Sequence, residues 1–503
     1  MSRFTQAGRS GTRRRSTPDA RTETGAAFFV KVVGVVVVLA MGLGVAAFVR
    51  SHSSGSGSPP AAGPGVPTLP GQPPASGPGL RLAPPAAPAP VLTALDSSRP
   101  VDVGRLKARV APLLHSPRLG HHVAFAVEAL GSRRLLWKSG GPAPVTPAST
   151  MKLLTMTATL DALAPGHRFT TSAVRGRDRH VVVLVGGGDP LLASRRSSAA
   201  QSTGDYPREA TLQQLATRTA HQLLREHVKT VRLGYDDSLF VGPAVDPHWE
   251  ATYVPESVVS PIDALWVDEG RATPGLLQRS ADPARDAADL FAHLLESRGV
   301  QVRAPVASVR ARTHAHVLAQ VQSAPLAEIV QHVLEHSDNE GAEVLLRQLA
   351  IASGRPGSFA AGVKVVRKTL TRLGVPLRHA VLYDGSGLSR DDRLPVRTLL
   401  SVLQLGASDG HPGLRPVVSG LPVAGFTGSL AYRFLYDAPG GLGLVRAKTG
   451  TLTGVHALAG IATTRSGKAL VYAAVADRVP VPKTSLARIQ LDRISSALAT
   501  CRC

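Results

Sequence analysis

Pro147-Ala148-Ser149-Thr150-Met151-Lys152-Leu153-Leu154 is the stretch on which the reading of this chain turns. Pro147 suits the first turn of a helix, and good helix formers follow it. On such a helix Ser149 and Lys152 share a face. A serine hydroxyl is a poor nucleophile until a neighbouring base takes its proton, and a lysine amine desolvated in a pocket is neutral enough to do so. The positive end of the helix also favours the negative charge that develops during attack. The chain holds 10 Lys against 47 Arg, and Lys152 is the only lysine with a serine three residues before it. Taken singly the pattern is weak, because a surface lysine over a buried helix has the same sequence.

Two further short elements lie downstream. Ser337-Asp338-Asn339 follows a helical stretch with apolar Leu326, Ile329, Val330, Val333 and Leu334, and Asn339 is the only asparagine of the chain. The Ser337 hydroxyl can relay a proton between Lys152 and a leaving amine, while the Asn339 amide can hold both the lysine and a peptide carbonyl. The competing reading is a helix cap or turn. Lys448-Thr449-Gly450, with Thr451 after it, sits on the first of three successive strands, 443–451, 455–463 and 468–475. Lys448 and the Thr449 hydroxyl can bind a carboxylate, and Gly450 lets a substrate backbone approach the strand. The backbone N–H of Thr451 can then pair with that of Ser149 as an oxyanion hole. The competing reading here is an edge strand guarded by a lysine.

Around these elements the chain divides by composition. With 503 residues and 43% apolar content it can build more than one ordinary domain. Residues 1–25 form an Arg-rich tail, and 26–49 are an apolar run long enough to span a bilayer, with the positive flank on its N-terminal side. An uncleaved single-pass anchor in the cell membrane, with the catalytic part outside, is expected. Residues 50–97 are Pro/Gly-rich and cannot bury a core, so they read as a disordered linker. From residue 98 the pattern is α+β: a helix over 103–114, a strand pair over 123–137 with its turn at Gly131-Ser132, the antiparallel meander, and a closing helix with Leu491, Ile494 and Leu498 on one stripe. The net charge of +22 is spread along the chain without aromatic interleaving or zinc-finger spacing, so no nucleic-acid partner is implied. The two cysteines, Cys501 and Cys503, exclude a disulfide scaffold or structural zinc. They are either free or externally paired thiols on a terminal segment or joined in a very short, strained ring.

The three elements in this order, S-x-x-K at Ser149–Lys152, S-D-N at Ser337–Asn339 and K-T-G at Lys448–Gly450, resemble the signature of the penicillin-recognising serine enzymes. Between Lys152 and Ser337 lie 184 residues, more than a compact β-lactamase needs. Within them, Val181–Val185 with Gly186-Gly187-Gly188-Asp189-Pro190, Asp236–Phe240 and Asp268-Glu269-Gly270 look like segments of the low-molecular-mass penicillin-binding proteins that are D-Ala-D-Ala carboxypeptidases and endopeptidases. So does Asp384-Gly385-Ser386-Gly387-Leu388-Ser389, although Arg390 departs from the polar residue expected after it. The resemblance covers roughly Ser98 to Ala499. It implies a penicillin-binding-protein/β-lactamase-like transpeptidase fold in two stretches, 98–165 and 321–503, separated by a domain-sized insertion over 166–320. It also implies peptidoglycan stem peptides as substrates, β-lactam antibiotics as covalent inhibitors, and no metal or organic cofactor. By the same resemblance Ser149, Lys152, Ser337 and Asn339 are catalytic, and Lys448, Thr449, Gly450 and Thr451 bind substrate.

Rival readings meet specific obstacles. His332-Val333-Leu334-Glu335-His336 matches the inverted zinc-peptidase motif, but no second motif announces a third ligand. Ala447-Lys448-Thr449-Gly450-Thr451 resembles a P-type ATPase phosphorylation motif with Ala447 where the aspartate must be. A β-lactamase-like hydrolase would use the same acylating residues but needs a deacylating base, and none is evident.

Overall fold

Val455–Thr463 and Ala469–Ala476 are apolar at successive positions rather than alternate ones, a pattern that suits strands covered on both faces. In the computed structural model, which describes residues 100–196 and 206–503, they are β9 and β10 of a five-stranded antiparallel sheet. Its order is β2-β1-β10-β9-β8, with β1 at Val123–Ala129, β2 at Leu135–Ser139 and β8 at Val445–Leu452. The first strand therefore pairs with the last, Phe125 opposite Ala474. Side chains alternate between two cores, as the pleat requires. Phe125, Val127, Leu458, Tyr472 and Ala474 pack on helices α1 (Val103–Leu114) and α9 (Thr484–Ala499) through Leu106, Val110, Leu491 and Ile494. Ala126, Ala457, Ala459, Val471 and Ala473 face the opposite core.

That second core is helical and is organised around α2 (Lys152–Leu163), whose residues from Lys152 to Leu160 are all buried. Threonines fit inside it because their hydroxyls bond back to the helix: Thr157 Oγ1 donates to the Leu153 carbonyl at 2.6 Å, and Thr159 Oγ1 to that of Thr155 at 2.9 Å.

A separate five-stranded sheet is built from residues 170–322, in the order β6-β5-β4-β3-β7. Here β3 is Thr170–Arg175, β4 Val181–Val185, β5 Thr230–Asp236, β6 Gln301–Ser308 and β7 Val317–Gln322. The strands β4, β5 and β6 run parallel, through crossovers carrying α3 (Leu212–Arg225) and α4 (Pro283–Glu296). These helices cover Val182, Leu184, Val231 and Leu233 with Leu215, Leu223, Phe291 and Leu295. Where this stretch leaves and rejoins the helical layer its two ends are tied together: Ser323 N–H donates to the Phe169 carbonyl at 2.9 Å, and Leu326 N–H to that of His167 at 2.8 Å.

After the second sheet come α5 (Leu326–His336), α6 (Asn339–Ala352), α7 (Phe359–Arg372) and α8 (Val396–Gly406). The helix α6 packs directly on α2 and α7 and is buried from Glu340 to Ala350.

Several expectations change. The parallel strands were not legible as such, because pairing direction follows from the crossovers and not from strand composition. The sequence Pro147–Met151 does not open an α-helix: Ala148–Met151 is a 3-10 turn, and the α-helix begins at Lys152. Cys501 and Cys503 are joined to each other and buried. The tail, the expected anchor over 26–49 and the linker over 50–97 lie outside the described residues. Among the described residues no helix is long and apolar enough to cross a membrane.

Leu345 on α6 has no exposed surface. Leu345→Ala is expected to destabilise the fold by about 2–5 kcal/mol, read as a lower urea midpoint at unchanged slope. A loss under about 1 kcal/mol would contradict tight packing around α6.

Candidate active site

The turn carrying Ser149 is held in an uncommon backbone state, with Ala148 at φ 46°, a left-handed value that a residue with a side chain rarely adopts. It survives because neighbours fix it from two sides. A Cβ at Gly450 would lie 2.8 Å from the Pro147 carbonyl oxygen, and one at Gly387 would lie 2.0 Å from that of Ala148. Both glycines let another segment approach the turn. For Gly450 the close partner is thus the turn that carries Ser149, where the sequence suggests an approaching substrate.

Ser149 is half-buried, whereas Lys152, one turn further on, is fully buried. The Lys152 Nζ donates to Ser149 Oγ at 3.1 Å, to Asn339 Oδ1 at 2.7 Å and to the Ser386 carbonyl at 2.9 Å. Its three donors are therefore matched by three acceptors, and among the described residues no carboxylate pairs with it. Burial lowers the Lys152 pKa from 10.5 to about 8, against the opposing pull of Asp338, Glu343, Asp384 and Glu340.

Ser337-Asp338-Asn339 joins two helices, so the cap reading holds, and Asn339 reaches Lys152 as well. Ser337, at φ 61°, ends α5; Asp338 caps α6, its Oδ1 accepting from Gly341 N–H at 2.9 Å. Asn339 is then the first residue of α6, and its Nδ2 donates to the Val258 carbonyl at 3.2 Å, which orients Oδ1 toward Lys152.

Lys448 comes from β8, the edge strand, yet it is fully buried and guards nothing against solvent. Its Nζ donates to Ser337 Oγ at 2.7 Å and to the Thr449 carbonyl at 3.0 Å. Burial lowers its pKa well below the ordinary lysine value, and the charge of Lys152 pushes in the same direction. Thr449 Oγ1 lies 2.9 Å from Ser429 Oγ, and Thr451 follows on the same strand, exposed.

Seven of the eight expected residues are thus linked by named contacts: Ser149, Lys152 and Asn339 through the Lys152 amine, Ser337 and Lys448 through theirs, Thr449 by adjacency, and Gly450 by its approach to Pro147. Sequence reasoning missed three participants. The Ser386 carbonyl belongs to the loop Asp384–Ser389, which had been singled out without a role. Glu343, fully buried one turn after Asn339, accepts from Gly385 N–H at 3.0 Å and Ser386 N–H at 2.7 Å and so aims that carbonyl at Lys152. A buried acid four residues after S-D-N was its available signal. Ser429 left none. Asp384 fixes the rest of the loop, accepting from Gly387 and Ser389 N–H at 2.7 Å each and from Trp249 Nε1 at 2.9 Å. Arg390, the departure noted in the sequence, donates to the Thr453 carbonyl at 2.8 Å and pairs with Glu250.

The inverted zinc motif is not assembled as a peptidase centre among the described residues. His332 and His336 have ring centroids 4.6 Å apart, but His336 is exposed and the group of ligand atoms around His332 contains neither it nor Glu335.

Gly450→Ala is expected to push the Ser149 turn off β8 and, with Ser149 as the acylated residue, to slow labelling by a fluorescent penicillin about tenfold or more in the fraction that remains folded. An unaltered rate would show that the contact with Pro147 is not needed.

The family model described as D-Ala-D-Ala carboxypeptidase 3 (S13) matches residues 106–280 and 272–498. The chain is 34% identical over 497 residues to carboxypeptidase DacB of Mycolicibacterium smegmatis, covering 97% of this chain and 98% of that protein. It is 34% identical over 425 residues to carboxypeptidase Rv3627c of Mycobacterium tuberculosis, covering 83% and 89%. The fold is similar to the crystal structure of penicillin binding protein 4 (dacB) from Haemophilus influenzae, with a TM-score of 0.62 at 21% identity, over 78% of this chain and 98% of that one. The same Haemophilus protein has been solved complexed with a β-lactam. This chain belongs to the S13 family of D-Ala-D-Ala carboxypeptidases.

Proposed function

We propose that the chain hydrolyses D-alanyl peptide bonds of peptidoglycan stem peptides through an acyl-enzyme on Ser149, releasing terminal D-Ala or opening D-alanyl cross-links. The observation that carries this reading is the fully buried Lys152 amine 3.1 Å from Ser149 Oγ, its pKa lowered to about 8 by burial. When neutral it can take the hydroxyl proton as Ser149 Oγ attacks the penultimate D-Ala carbonyl and the new C–O bond forms. The oxyanion is stabilised by the backbone N–H groups of Ser149 and Thr451. Collapse breaks the C–N bond, and the departing amine recovers the proton by way of Ser337, whose hydroxyl Lys448 holds at 2.7 Å. Water then cleaves the ester, with the proton passing back through Lys152. The terminal carboxylate of the substrate binds at Lys448 and Thr449, and Asn339 steadies both Lys152 and the substrate backbone.

A β-lactam carbonyl presents the same electrophile to Ser149, so these drugs acylate the enzyme; the β-lactam complex of the Haemophilus protein is in keeping with this. The apolar run over 26–49 with its Arg-rich flank supports a single-pass anchor in the cell membrane. The Pro-rich stretch after it, at about 3.1 Å per residue, lets the enzyme work on the order of 100 Å out into the wall.

Intact-protein mass spectrometry after penicillin treatment is expected to show one penicilloyl adduct on Ser149, absent in Ser149→Ala; an adduct that survives the substitution contradicts the nucleophile. Lys448→Ala is expected to lower kcat/KM on a D-Ala-D-Ala peptide roughly 10–100-fold, by loss of the hydrogen bonds that its amine gives the carboxylate. Unchanged kcat/KM would move the carboxylate site elsewhere.

A further inference from the structure

Two sequence features have no part in this chemistry: the His332–His336 motif and Asp268-Glu269-Gly270. They meet behind Ser337-Asp338-Asn339. One ligand atom each from Glu269, His332 and Asp338 lie within 4.8 Å of one another. Asp338 is 8% exposed, and while its Oδ1 caps α6, its Oδ2 is buried with no hydrogen-bond partner. A buried carboxylate oxygen without a donor is unfavourable, and a metal ion held with the neighbouring ligand atoms would give Asp338 Oδ2 its partner.

The neighbouring charges define which groups remain open. Glu269 Oε2 pairs with Arg271 at 2.7 Å, which leaves the other carboxylate oxygen for a ligand bond. Glu340 is engaged by Arg279 at 2.7 Å and by Ser260 N–H at 3.1 Å, and so stands outside the set. The turn presenting Glu269 is fixed: Ser260 Oγ donates to the Glu269 carbonyl at 2.6 Å, and Ser194 N–H to Asp268 Oδ1 at 3.0 Å. One imidazole and two carboxylates, completed by water as a fourth ligand, would be a donor set suited to zinc and less so to the oxygen-seeking calcium or magnesium.

We propose that Glu269, His332 and Asp338 form a zinc(II) site that braces the turn between α5 and α6, on which Ser337 and Asn339 are carried. The ion would join that turn to the 268–270 turn of the stretch containing the second sheet. This site does not depend on the catalytic reading above.

The test uses the full chain, stripped with chelator and dialysed, then titrated with zinc chloride by calorimetry and weighed by native mass spectrometry. One zinc per chain is expected, with affinity reduced about tenfold or more in both His332→Ala and Glu269→Gln. Zinc in excess is also expected to raise the melting temperature of the parent chain and not of the variants. Failure of the parent to take up zinc overturns the site. So does parent-like affinity in either variant, which would assign the ion to surface histidines.

Discussion

Everything at the centre of this molecule depends on keeping the Lys152 amine out of water without giving it a carboxylate to pair with. A direct ion pair would hold the lysine charged and useless as a base. Here three neutral acceptors fill its donor positions, one from its own turn, one from the start of α6 and one from the 384–389 loop, while the acids stay at a distance. Burial then outweighs their attraction and brings the amine within reach of neutral pH.

That arrangement sets tolerances on the rest of the fold. The loop carbonyl points at Lys152 only because Glu343 gathers the Gly385 and Ser386 N–H groups from below. The loop can lie on the Ser149 turn only because position 387 is glycine, and β8 can reach the same turn only because position 450 is. The sheet supplies β8 as an edge strand, leaving the side that faces the turn free of strand pairing. The two buried lysines also feel each other, since charge on Lys152 disfavours charge on Lys448.

The sequence was most informative where local pattern and chemistry coincide. The terminal meander, the 123–137 hairpin and the closing helix were readable because apolar runs and turn residues mark them locally. The motif residues were readable because lysine and asparagine are scarce in this chain, so their spacing carries information. The parallel order β4-β5-β6 was not, because it is decided by crossovers packing on a sheet. Nor was the 3-10 turn at Ala148–Met151, where tertiary contacts from Gly387 and Gly450 override a helix-forming sequence. Ser386 acts through its backbone carbonyl, Glu343 through the backbone N–H groups of that loop and Ser429 through the Thr449 hydroxyl, and residue identity alone does not reveal such roles.

The most direct test is a titration of Lys152 itself, following lysine ε-carbon resonances by NMR and assigning the relevant signal by its loss in Lys152→Met. The account predicts a midpoint of about 8 for that signal, so that the neutral amine grows as pH rises through that value. A midpoint at the ordinary lysine value of 10.5 would contradict it, because an amine charged throughout the neutral range cannot take the Ser149 proton.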